Sequence, residues 1–187
     1  MPARPLDGHI VLIGLSGSGK STLGRLVAQK LRLPFVDLDR VAEEKLGMSI
    51  RQIFERKGEK FFRDAEAEAA RDAVLSPGRS VIATGGGVVL RPENVRLLRE
   101  NGFLVFLDRP VEAIVKDLVD DLSRPLVTGA EKLYEMERTR RPLYLDAAHR
   151  VLRNEAGLAE TLDALVALLT PKAGFSLESG GKLEEEN

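Results

Sequence analysis

The residues Gly14-Leu15-Ser16-Gly17-Ser18-Gly19-Lys20-Ser21-Thr22 meet every required position of the pattern G-x-x-x-x-G-K-[ST]. The chemistry open to such a stretch is the cradling of phosphate. Successive backbone N–H groups curl around an anion, and glycines let the chain approach it closely. A helix starting near Gly19 adds unpaired amides and the positive end of its dipole. Lys20 can reach β- and γ-phosphates, and the Ser21 hydroxyl can ligate Mg²⁺. Gly17, Ser18, Gly19 and Thr22 complete the cradle. The ligand this implies is a nucleoside triphosphate, expected to be ATP.

Other residues could share that chemistry. Asp37 and Asp39 flank Leu38 at the end of a short apolar run. If that segment is extended, i and i+2 point the same way, giving one metal-directed and one substrate-directed carboxylate. Asp108 also closes an apolar run and is a rival for the metal. Gly85-Gly86-Gly87 follows another apolar run, as backbone approaching a substrate closely would. Arg63 and Glu66 share a helix face, a spacing that usually marks a weak surface pair. Arg140 and Arg141 precede Pro142. Arg124 lies in a break between helices and suits a lid closing over phosphate.

The elements needed to position these groups are legible. His9–Ile13 reads as a buried strand, and Leu23, Leu26, Val27 and Leu31 recur at helical spacing after the loop. Further strands are expected at 35–36, 80–84, 103–108 and 149–152. Helices are expected at 41–46, from Ser49, at 58–75, 92–100, 111–122, 131–144 and 159–169. Alternating strands and helices imply a parallel sheet covered on both faces, with ligands bound beyond the carboxyl ends of the strands. The fold class is therefore α/β. One domain is expected over 1–170, with a disordered tail over 171–187.

Composition narrows the partners. A net charge of −1 provides no global field for nucleic acid or an anionic membrane. The chain has no cysteine, which removes thiolate chemistry, and its two histidines, His9 and His149, lie far apart. No apolar run approaches membrane-spanning length, and the expected location is the cytoplasm.

Together these pieces resemble the shikimate kinases, members of the nucleoside-monophosphate-kinase-like P-loop families. The likeness rests on the phosphate loop, Asp37-Leu38-Asp39, Ser49 to Phe54, Gly58 to Glu66, Gly85-Gly86-Gly87, Arg124-Pro125-Leu126 and Arg140 to Tyr144. It implies a five-stranded sheet of order 2-3-1-4-5, a substrate-binding part near 38–67 and a lid near 118–130. It implies transfer of the ATP γ-phosphate to the 3-hydroxyl of shikimate, by a monomer, in aromatic amino acid biosynthesis. By the same resemblance Asp37 lies near Mg²⁺ and Asp39 holds substrate hydroxyls. Arg63 and Arg140 clamp the substrate carboxylate, the triple glycine contacts the ring, and Phe54 and Phe62 wall the pocket. Lys20 and Arg124 serve the transferred phosphate, and Arg153 falls in a second adenine-contacting loop. One departure is visible. Many members stack an arginine on adenine from the helix before the lid, and that position is Asp117 here. Alternatives are another small-metabolite kinase, such as a gluconate kinase, or a nucleotide-binding regulatory module without turnover.

Overall fold

The computed structural model describes residues 8–120 and 126–170, without the side chains of 118–120 and 126–129. The expected lid arginine Arg124, much of the expected lid, and the expected tail lie outside the described residues.

Five parallel strands form one sheet in the order β2-β3-β1-β4-β5. They are β1 (His9–Ile13), β2 (Phe35–Asp37), β3 (Val81–Ala83), β4 (Gly102–Asp108) and β5 (Arg150–Arg153). Every residue of β1 is buried, as the central strand of a doubly covered sheet requires. Alternate residues divide between two cores. Val11, Ile13, Ile82, Leu104 and Phe106 pack on one face with Ala69, Ala70 and Tyr144. Ile10, Leu12, Val81, Val105 and Leu107 pack on the other with Leu23, Val27 and Leu165. That split is the two-residue strand period made physical.

The helices are α1 (Lys20–Leu31), α2 (Leu38–Leu46), α3 (Ile50–Leu75), α4 (Pro92–Asn101), α5 (Val111–Asp120), α6 (Leu126–Ala147) and α7 (Leu158–Leu169). A 3-10 turn covers Val88–Leu90. Ser49 caps α3 with a reciprocal bond to Gln52. Gly58 breaks that helix with φ 81° and ψ 172°, which separates the two helices the sequence suggests.

Two local expectations change. The helix expected from 131 begins at Leu126, so the last part of the expected lid is helical. The sequence places Asp37 and Asp39 together on an extended segment, whereas α2 begins at Leu38. Asp37 is its N-cap, its Oδ1 accepting from the Asp39 N–H at 3.1 Å and the Arg40 N–H at 3.5 Å. Capping an orphan amide stabilises the early helix start. Asp39 therefore stands in the first turn of α2, where a carboxylate also suits the helix dipole.

The histidines serve the fold. His9 Nδ1 lies 2.8 Å from the Ser80 hydroxyl. His149 Nδ1 accepts from the Leu104 N–H at 2.9 Å, and its ring stacks on Phe103.

Candidate active site

The carboxyl ends of the strands gather the chemistry on one rim. The phosphate loop joins central β1 to α1. Gly17 and Gly19 adopt φ of 82° and 95°, left-handed values that only glycine takes freely. Lys20 is buried, and its Nζ donates to the Gly14 carbonyl at 2.8 Å and the Leu15 carbonyl at 2.7 Å. Burial lowers its pKa to about 8, against the pull of Asp39, Asp37 and Glu66.

On the β2 side, the Ser21 hydroxyl donates to Asp37 Oδ2 at 2.6 Å. Two hard oxygen donors thus stand together beside the loop, and this donor set fits Mg²⁺, which prefers one or two protein oxygens plus phosphate and water. Asp108, the rival, is engaged elsewhere. Its Oδ2 accepts from Arg141 Nη2 at 2.8 Å.

Asp39 faces the same rim from α2. Burial raises its pKa to about 6; the Lys20 charge lowers it, and the Glu66 and Asp37 charges raise it further. Glu66 is the larger departure from the sequence reading, because only 1% of it is exposed. Its Oε2 accepts from Arg63 Nη1 at 2.8 Å, while its Oε1 is buried without a partner among the described residues. Burial pushes its pKa up. The spacing alone suggested a weak surface pair; the packing makes it an internal strut that holds Arg63.

The triple glycine lies against this cluster. None of Gly85, Gly86 and Gly87 has a positive φ, so conformation does not demand glycine there. Close approach does. A Cβ on Gly85 would stand 2.6 Å from Asp39 Oδ1, and one on Gly87 would overlap the Arg63 guanidinium. The Gly86 carbonyl accepts from Arg140 Nη1 at 3.1 Å and from the buried Tyr144 hydroxyl. Arg63 and Arg140 therefore reach the triple glycine from opposite helices, α3 and α6. Phe62 is buried beneath Arg63, its ring centre 5.1 Å from the Arg63 Cζ, and Phe54 packs on it at 4.9 Å.

The β4–β5 side is separate. Arg153 is largely exposed and pairs with Glu155 at 3.0 Å. Its neighbour Asn154 makes the contact to the phosphate loop, donating to the Ser18 carbonyl at 2.9 Å. The Asn154 side-chain oxygen accepts from the Thr161 hydroxyl at 3.0 Å, which joins that loop to α7. Sequence reasoning gave no role to Glu66 or Tyr144, although the three-residue spacing from Arg63 and the run Arg140 to Tyr144 pointed at each.

A parallel sheet of this order, with a phosphate loop on its central strand and a charged cluster on one flank, defines a P-loop small-molecule kinase. A family model described as shikimate kinase matches residues 16–170. The shikimate kinase of Paracidovorax citrulli is 47% identical over 178 residues, covering 92% of this chain and 93% of that protein. That of Clostridium botulinum (strain Alaska E43) is 39% identical, covering 88% and 98%. A structure of shikimate kinase from Acinetobacter baumannii in complex with shikimate superposes with a TM-score of 0.79 at 33% identity, covering 87% of this chain and 92% of that one. A gluconokinase from Sinorhizobium meliloti reaches 0.56 at 17% identity, a likeness of fold alone. The chain belongs to the shikimate kinase family, and it is an ATP-dependent kinase.

Proposed function

We propose that this rim transfers the γ-phosphoryl group of ATP to the 3-hydroxyl of shikimate through the residues named above. The observation that carries the reading is the convergence of Arg63, Arg140, Asp39 and the triple glycine within one flank of the phosphate loop. Shikimate is a small carboxylate bearing several hydroxyls. Two guanidiniums suit its anionic end, since planar forked donors match a carboxylate. Asp39 supplies an acceptor for hydroxyls, and Glu66, too buried to touch a substrate, holds Arg63 in place. The triple glycine lets Asp39 and Arg63 close in on one another beside the ring's place, and Phe54 and Phe62 give the ring an apolar wall.

The reaction needs alignment and charge neutralisation more than covalent help from the protein. Asp39 accepts the hydrogen bond of the attacking hydroxyl and takes its proton as the new O–P bond forms. The bond from the γ-phosphorus to its bridging oxygen breaks, and ADP leaves with that electron pair. Lys20 holds the β- and γ-oxygens, and the loop amides orient them. Mg²⁺, held through Ser21 and Asp37, would neutralise phosphate charge. Arg124, assigned by resemblance, would add a cation from the lid, and Arg153 would border the nucleotide. The same resemblance supports a monomeric, cytoplasmic enzyme in one domain.

ADP release measured separately with shikimate, gluconate and a nucleoside monophosphate tests this. Turnover with shikimate alone is expected. Preference for gluconate would move the substrate, and no turnover with any acceptor would leave a binding module. Arg140→Leu removes one half of the carboxylate clamp, and losing one partner of a charge pair costs about 2–5 kcal/mol. Its kcat/KM for shikimate should fall by at least ~30-fold. ATP affinity measured without shikimate should hold.

A further inference from the structure

The strand order splits the rim. Phosphate sits at central β1, the acceptor cluster lies on the β2–β3 side, and the β4–β5 side is left for the rest of the nucleotide. There a cavity of about 450 Å³ opens beside Gly19 and Thr22, between Arg109-Pro110 after β4 and Ala156 to Leu158 at the start of α7. A triphosphate seated in the loop would project its base into this slot. Among the described residues lining it there is no aromatic ring, and Arg109 is its one guanidinium.

Arg109 is not a free cation. Its Nη1 lies 2.7 Å from Asp117 Oδ2 and donates to the Gly17 carbonyl at 3.0 Å. The side chain is only 24% exposed. Both partners engage Nη1, at the edge of the guanidinium where its N–H groups point, and the side chain lines the slot. Asp117 also neutralises its charge, and the carboxylate lining the slot, Glu155, is paired with Arg153. A site whose charges are so paired suits a neutral flat ring rather than a phosphate.

We propose that Arg109, pinned by Asp117 and the Gly17 carbonyl, is the stacking platform for the purine base, with Asp117 a positioning residue. Delocalised, planar and weakly hydrated, a guanidinium stacks on π systems in a way an ammonium does not. The proposal rests on the reading that the loop binds a nucleotide.

Calorimetric titration of the full chain with Mg·ADP and with inorganic tripolyphosphate, which has no base, separates the two readings. Arg109→Ala should weaken ADP by roughly 5- to 30-fold, the range of a desolvated cation–π contact. Tripolyphosphate affinity should not change. Arg109→Lys keeps the charge but not the plane and should lose ADP affinity likewise. Asp117→Ala should show a smaller loss confined to ADP. Unchanged shikimate binding by these variants establishes that they are folded. Wild-type ADP affinity in Arg109→Lys would overturn the proposal, because charge alone would then suffice. Equal losses of ADP and tripolyphosphate would overturn it too, making Arg109 a shaper of the phosphate loop. Wild-type protein binding neither ligand would sink the nucleotide reading itself.

Discussion

At the scale of single residues, the two aspartates that close apolar runs have different partners. Asp37 touches Ser21, and Asp108 is held by Arg141 on the far flank. Asp37→Asn should therefore raise the Mg²⁺ concentration for half-maximal rate far more than Asp108→Asn does. The reverse order would return the metal to Asp108. Sequence spacing left both open, because the deciding contact joins residues 33 positions apart. The pH profile follows from Asp39 and Lys20. On the proposed mechanism the free enzyme needs Asp39 ionised, above about pH 6, and Lys20 charged, below about pH 8. A plot of kcat/KM for ATP against pH should form a bell between those limits, since that ratio reports the free enzyme. In kcat the alkaline limb should move upward, because bound phosphate favours the charged lysine. An acid limb that persists in Asp39→Asn would assign it to another group.

At the scale of elements, the strands were legible as short apolar runs with clear stops, and most helices by their period. The start of α2 was not. An acid after an apolar run fits a strand end or an N-cap equally, and the bonds from Asp37 to the amides of Asp39 and Arg40 decide it. The burial of Glu66 was hidden for a related reason. Helical spacing gives a shared face but not what covers it, and here the cover is the triple-glycine turn brought in by β3. That turn is itself held from α6, by Arg140 and Tyr144 at the Gly86 carbonyl. Tyr144→Phe deletes one donor while keeping the ring stacked on Phe106. Arg140 still satisfies the carbonyl, so the loss is that of one ordinary hydrogen bond. KM for shikimate should rise by about 2- to 10-fold, the equivalent of that bond, and nucleotide affinity should stay put. A fall in kcat with KM unchanged would mean that Tyr144 acts on the transfer rather than on the acceptor seat.

At the scale of the whole molecule, the rim carries charges the fold alone would not keep. Lys20 and Glu66 are buried and Asp39 is half-buried beside them, and desolvation moves each pKa toward its neutral form. On the proposed mechanism substrates supply partners for Lys20 and Asp39, and the free fold is held below its attainable stability. Asp39 shows the sign. Its folded pKa of about 6 lies above its ordinary 3.8, so the folded chain binds a proton more tightly than the unfolded one. Stability attached to this group is present at low pH and is lost as pH rises from about 4 to about 6. Above that window the ionised carboxylate costs the free fold up to about 3 kcal/mol, at 1.36 kcal/mol per unit. Asp39→Asn removes the charge and should melt several degrees higher than wild type at pH 7.5 without ligands. The advantage should shrink through pH 5 and vanish below about pH 4, where wild-type Asp39 carries its own proton. The same variant should lose at least ~10² in kcat, because an amide cannot take the hydroxyl proton. Thermal melts across this pH range, paired with single-turnover rates at saturating shikimate, test both halves. A variant that melts lower than wild type at pH 7.5 would show that Asp39 supports the fold. Undiminished phosphoryl transfer would remove it from the chemistry.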